Sequence, residues 1–247
     1  MNNSKVIVSL DYSNAKQALD FCRKVNPMDC RIKVGKELFT AEGPKLIEKL
    51  RKLDYEIFLD LKYHDIPNTV AKACRVALDL DIWMLNIHAS GGRKMMEAAH
   101  QTIEKYGSEN KPLLIAVTVL TSISSNDLAE LGINNSVNKQ VVSLATMAKD
   151  IGLDGGVCSG GEVRELRKKL GDNFCFVTPG VRLEDSVNDD QKRIITPIDA
   201  IRAGSDYLVI GRPITESTDP INVLNSINNS INAVSYTHLT LPTSDLV

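Results

Sequence analysis

A chain of 247 residues, 43% hydrophobic and 24% charged, has the balance of an ordinary globular protein with a large core. Its length is generous for one domain and tight for two. Lys and Arg total 29 against 31 Asp and Glu, a net charge of −2, so the basic excess expected of a nucleic-acid binder is missing.

In chain order, the sequence enters a strand pattern at once, VIVSLD from Val6, without the basic-then-apolar leader of an exported protein. RIKVG follows from Arg31, IFLDLK from Ile57 and MLNIHA from Met84. LLIAVTVLT from Leu113, GGVCS from Gly155, FCFVTPG from Phe174 and YLVIG from Tyr207 complete the set. The longest apolar run, Leu113 to Leu120, has the length of a core strand and falls far short of the ~20 residues that cross a bilayer. Between most of these runs lie stretches with helical spacing, such as AKQALDFCRKV and GPKLIEKLRKL. In the second, Leu46, Ile47 and Leu50 form a stripe while Lys45, Glu48, Lys49 and Lys52 face water. Strands alternating with helices predict βαβ units, and this number of units in this length fits a (β/α)8 TIM barrel over residues 1–234. No G-x-G-x-x-G follows the first strand, which disfavours an open dinucleotide-binding sheet. After the helical DPINVLNSINNSINAV the chain ends SYTHLTLPTSDLV, polar and Thr-rich. Residues 235–247 therefore read as a non-native extension outside the barrel, with a disordered native tail as the alternative.

The five cysteines, Cys22, Cys30, Cys74, Cys158 and Cys175, are odd in number and include no C-x-x-C pair. That pattern suits reduced thiols used as small apolar fillers in a cytoplasmic protein better than a disulfide framework or a zinc knuckle.

Charges stand where a barrel core should be. Strand alternation in IFLDLKYHD puts Ile57, Leu59 and Leu61 on one face and Phe58, Asp60 and Lys62 on the other. Barrel helices need an apolar outer face, so Asp60 and Lys62 point inward, at the C-terminal end where catalytic groups of such barrels gather. By the same logic Asp11 shares an inward face with Ile7 and Ser9, and Lys33 lies between outward Ile32 and Val34. Asp11, Lys33, Asp60 and Lys62 thus converge from three adjacent strands. Two structural salt bridges are the alternative, but buried ion pairs give little net stability once desolvation is counted. At the other end of the chain, Thr178–Arg182 and Gly211–Ile214 follow strands seven and eight, the usual phosphate site of this fold. Gly211 lets backbone approach an anion, Arg182 and Arg212 can fork onto phosphate oxygens, and Gln191 can add an amide donor. Thr121 and Ser122 supply hydroxyls at the end of strand five. His88 and His64 read as structural, and His100 and His238 have no assigned role.

Taken together, these segments resemble the orotidine 5'-phosphate decarboxylase family in its bacterial form, over about residues 4 to 232. The most specific piece is FLDLKYHDIPNTV, which holds the family's D-x-K-x-x-D as Asp60, Lys62 and Asp65. KVGKELF, HASGG, AVTVLTS, VTPGVR and VIGRPIT are also similar to family segments and stand in family order. The resemblance implies decarboxylation of orotidine 5'-monophosphate to UMP, with Lys62 as proton donor in an alternating Lys33–Asp60–Lys62–Asp65 array. It also implies a homodimer in which Asp65 and Thr69 reach into the partner's site, and ribose contacts from Asp11 and Lys33. Thr121 and Ser122 would lie near the ribose and pyrimidine, and Gln191, Gly211 and Arg212 would hold the phosphate with Arg182 beside them.

The cluster implies no metal, and neither a flavin nor a nicotinamide fingerprint is present, so no cofactor is expected. Two features depart from the family: Gly156, where a β-branched residue is usual, and the Thr-rich end. Three rival functions share the fold: a Mg²⁺-dependent sugar-phosphate lyase or decarboxylase, a Schiff-base aldolase, and a nucleotide-binding protein without activity.

Overall fold

The computed structural model describes residues 2–105, 111–183 and 195–239, with residues 234–239 described by backbone alone. Among these, parallel strands β1 (Val6–Ser9), β2 (Arg31–Gly35), β3 (Ile57–Tyr63), β4 (Met84–His88), β5 (Leu113–Val117), β6 (Gly155–Val157), β7 (Cys175–Thr178) and β8 (Tyr207–Ile210) close into a barrel in chain order. Helices α1 (Ala15–Cys22), α2 (Lys36–Glu42), α3 (Pro44–Arg51), α4 (Pro67–Leu78), α5 (Arg93–Lys105), α6 (Ser125–Glu130), α7 (Val137–Ile151), α8 (Gly160–Leu170), α9 (Pro197–Ala203), α10 (Arg212–Thr215) and α11 (Pro220–Leu239) connect and surround them. The expected (β/α)8 barrel is the observed one, and the long gap before the sixth strand is filled by α6 and α7 together. None of the described helices is long and apolar enough to cross a membrane.

The period-2 pattern of each strand divides the apolar residues into two cores. Outward Val6, Val8, Ile32, Val34, Ile57, Leu59, Leu85 and Ile87 pack beneath the helices, where Leu46, Ile47 and Leu50 of α3 are buried as their spacing predicts. Inward Ile7, Phe58, Met84, Ile115 and Val177 form a second, inner cluster, none more than 2% exposed. Below it, the Arg31 guanidinium lies 4.4 Å from the Trp83 ring centroid and 5.1 Å from that of Tyr207. Glu56 pairs with Arg31 Nε at 2.8 Å, and Arg31 also donates to the backbone carbonyls of Asn2 and Ser4. The N-terminal end of the barrel is therefore sealed. At the C-terminal end the inward positions turn polar, to Ser9, Lys33, Asp60 and Asn86.

All five thiols are unpaired, four of them buried, and burial pushes those of Cys22 and Cys74 up to about 12. Inert apolar filler is the role this supports.

Strand β6 shows why two adjacent glycines differ. A Cβ on Gly155 would lie 2.3 Å from the Cys175 carbonyl oxygen, a backbone atom of the next strand. On Gly156 it would meet the Phe174 ring edge at 3.3 Å and Ala116 O at 3.4 Å. Gly155→Ala is accordingly expected to destabilise the barrel by about 3 kcal/mol or more, whereas Gly156→Ala stays within about 1 kcal/mol of the parent. Urea midpoints of the two variants measure the difference, and equal midpoints would contradict it.

Helix α11 continues past Val234 to Leu239, so the first part of the segment expected to lie outside the barrel is helical. No Gly or Pro interrupts SYTHL, and the first breaker is Pro242. Residues 240–247 lie outside the described residues.

Candidate active site

Three strand ends build one wall of the site. Lys33, buried in the middle of β2, reaches Asp60 Oδ2 at 3.2 Å and Asp11 Oδ1 at 3.5 Å. Lys62 Nζ donates to Asp60 Oδ1 at 2.6 Å, and the Ser9 hydroxyl donates to Asp11 Oδ1 at 2.8 Å. The inward set expected from alternation is thus assembled, as two ammonium groups sharing one buried carboxylate with a second carboxylate at the rim. Burial alone would raise the Asp60 pKa, but Lys33 and Lys62, with hydrogen bonds from Lys62 and Asn86, hold it below the ordinary carboxylate value. Asp60 is therefore an anion throughout the physiological range.

Lys62 occupies an unusual backbone position. Its φ is +51°, in the left-handed region that costs a non-glycine residue about 1–3 kcal/mol. The β3–β4 register shifts at this point, from Leu59 opposite Leu85 to Tyr63 opposite Ile87. Asp60, Leu61 and Lys62 thus face Asn86 alone, which redirects the end of β3 into the barrel mouth.

The other wall comes from β5 to β8 and the segments after them. Thr121, Arg182, Gly211 and Arg212 line the same cavity of about 460 Å³ as Asp11, Lys33, Asp60 and Lys62. A Cβ on Gly211 would come within 3.2 Å of Asp11 Oδ2 and 3.3 Å of Ser9 Cβ, so only glycine fits without displacing the carboxylate. Between the two charged walls lie Val117, Val119, Leu120, Val157, Val177 and Val209. A ligand with an apolar part and an anionic end matches this division.

Three described residues named from sequence stand outside this cavity lining. Asp65 is exposed, its Oδ1 accepting from the Ile66 backbone N–H at 2.6 Å, and Thr69 is exposed in the first turn of α4. Neither lines the cavity of the single chain. Ser122 is exposed beside Thr121 and outside the cavity lining, and Gln191 lies outside the described residues.

His88, at the end of β4, has its pKa pushed down to about 4 by burial and by the neighbouring His64, Lys36 and Lys62. It is a neutral imidazole at neutral pH, with the exposed His64 ring 5.5 Å away. Among the described residues no group of three or more His, Cys, Asp and Glu side chains converges as a metal site would require.

Sequence reasoning missed Asn86, which is 1% exposed, lines the cavity and bonds both Asp60 and Lys62. Its signal was available: a polar residue on the inward face of MLNIHA, between Met84 and His88. Glu216, at the rim beyond α10, was also missed.

Comparison with known proteins extends the geometry. The model of the orotidine 5'-phosphate decarboxylase / HUMPS family matches residues 4–227. The chain is 54% identical over 231 residues to orotidine 5'-phosphate decarboxylase of Vibrio parahaemolyticus serotype O3:K6, covering 94% of this chain and 99% of the relative. Identity is 55% over 228 residues to the enzyme of that name from Neisseria meningitidis serogroup C, covering 92% of each. A crystal structure of orotidine 5'-phosphate decarboxylase from Lactobacillus acidophilus superposes with a TM-score of 0.83 at 40% identity, covering 93% of this chain and 99% of that one.

Proposed function

The chain belongs to the orotidine 5'-phosphate decarboxylase / HUMPS family, and on that premise we propose that it decarboxylates orotidine 5'-monophosphate to UMP without a cofactor. The observation that carries the reading is the Lys33–Asp60–Lys62 cluster facing an apolar wall in one cavity with Arg182 and Arg212. Loss of carbon dioxide breaks the bond from C6 to its carboxylate carbon and leaves the electron pair at C6. Lys62, paired with the adjacent Asp60 carboxylate, stabilises that developing carbanion and then transfers a proton to C6. The neutral amine left behind recovers its proton from solvent. Asp60 lies beside the departing carboxylate, and repulsion between the two anions adds a smaller contribution by raising the ground state. Arg182, Gly211 and Arg212, with Gln191, hold the 5'-phosphate, and this remote grip orients the ring over Lys62.

The proposal includes a cytoplasmic homodimer. Asp65 and Thr69 are exposed on one chain, where they are free to complete a neighbouring chain's site, Asp65 as the last member of the charge array. Asp11 and Lys33 take ribose hydroxyls, and Thr121 and Ser122 lie beside ribose and pyrimidine.

The test is incubation with orotidine 5'-monophosphate and EDTA while the substrate's ultraviolet absorbance is followed. Conversion to UMP that EDTA leaves untouched supports the reading. No turnover by folded protein, or turnover of sugar phosphates only with Mg²⁺, would replace it with the lyase alternative. Arg212→Ala is expected to raise KM about 10²-fold, with a smaller effect on kcat, because an arginine–phosphate fork binds ground and transition states alike. A kcat defect with unchanged KM would place Arg212 in the chemistry instead.

A further inference from the structure

From the bonds it makes to two neighbours, we infer that Asn86 is the positioning residue of the reaction, holding the Lys62 backbone and the Asp60 carboxylate in register at the mouth of the barrel. Its Oδ1 accepts from the Lys62 backbone N–H at 2.8 Å, and its Nδ2 donates to Asp60 Oδ1 at 2.6 Å. The register shift leaves the Lys62 N–H without the ladder partner that a regular strand would supply, and the side-chain amide takes that place. The same bond anchors Lys62 in its left-handed conformation, which sends Nζ back to Asp60 Oδ1. Asp60 Oδ1 accordingly receives two donors, Lys62 Nζ and Asn86 Nδ2, while Oδ2 faces Lys33.

The chemistry selects this residue type. A side chain between a backbone donor and a carboxylate must offer one acceptor and one donor on a short, stiff arm, and asparagine does so in a single amide orientation. Aspartate would set a second carboxylate against Asp60. Leucine fills similar space and offers neither group. Asn86 acts through Lys62 and Asp60, so its loss leaves the reacting groups present but poorly aimed.

This inference rests on the decarboxylase reading for its kinetic consequences, but its structural content can be tested without substrate. In Asn86→Ala and Asn86→Leu, hydrogen exchange at the Lys62 amide is expected to accelerate at least about 10-fold, with thermal unfolding showing folded protein. kcat is expected to fall about 10–100-fold while UMP affinity stays within about threefold.

Asn86→Asp adds a test that a merely structural role would not pass. The groups facing position 86 are Asp60 and Lys62 on β3 and Lys33 on β2, with Asp11 beyond Lys33 and His88 further along β4. The introduced carboxyl can replace the amide donor only while protonated. The variant's kcat should therefore fall as pH rises through the titration of that shared proton, a limb missing from the parent profile. Unchanged Lys62 exchange in Asn86→Ala would overturn the inference, as would kcat within twofold of the parent in both apolar variants. Where Asn86→Asp fails to fold, Asn86→Leu decides. If the parent itself does not convert orotidine 5'-monophosphate, the decarboxylase reading falls and exchange at Lys62 still judges the role of Asn86.

Discussion

Lys62→Ala is expected to lower kcat for decarboxylation at least about 10⁴-fold while UMP still binds. Two contributions are lost together. General acid catalysis by a positioned group contributes typically about 10²–10⁴-fold, and removing one preorganised charge stabiliser costs about 10²–10³-fold more. Binding is expected to survive because the phosphate grip proposed for Arg182 and Arg212 lies on the other wall of the cavity. Removal of one ammonium also leaves Lys33 as the remaining counter-charge of Asp60, so the fold holds. Absorbance assays give the rate and titration calorimetry with UMP gives the affinity. A rate within 10-fold of the parent would remove Lys62 from the chemistry.

Asp60→Ala should be costly in both activity and stability. It leaves Lys33 and Lys62 facing one another without the carboxylate that both contact, and Lys33 is only 8% exposed. Breaking a buried pair by removing one partner costs about 3–5 kcal/mol, and the partial exposure of Lys62 places the expectation near 3 kcal/mol. The sign of the pH effect follows from the lowered Asp60 pKa. The stabilisation is fully present above the unfolded value of 3.8 and is lost as pH falls through the lower folded one. The parent and Asp60→Ala should therefore differ most near neutrality and converge in acid, as pH falls through the lowered folded-state value, as urea unfolding at a series of pH values would show. Turnover should fall by at least about 10³-fold, since Lys62 loses the partner that aims it. A variant as stable as the parent at pH 7 would contradict this expectation and mean that the two lysines relax apart.

Much of this was legible in the residues, for identifiable reasons. A barrel strand must hide one face beneath helices, so the alternation of Leu59, Asp60, Leu61 and Lys62 left one inward direction for the charges. The α3 stripe was legible because three apolar positions at helical spacing among charges admit one orientation. Asn86 escaped because a neutral amide at an inward strand position has many uses, and its partners are set by a register shift that no local pattern announces. The left-handed backbone of Lys62 has the same origin. Asp65 and Thr69 came from family resemblance alone, since their exposed positions carry no packing signature. The helical backbone of residues 235–239 was not legible because a docked helix can continue through residues without an apolar stripe where no Gly or Pro interrupts them.

The plugged floor of the barrel bears on molecular traffic. Arg31, clamped by Trp83, Tyr207 and Glu56 beneath an inner layer no more than 2% exposed, closes the rear of the barrel among the described residues. Whatever enters the cavity must leave by the same doorway, so a small neutral product departs past a larger charged one or waits behind it. Arg182 and Arg212, which line this cavity and for which the phosphate grip is proposed, would thereby govern exit as well as entry. Loosening them shortens the residence of products along with that of substrate.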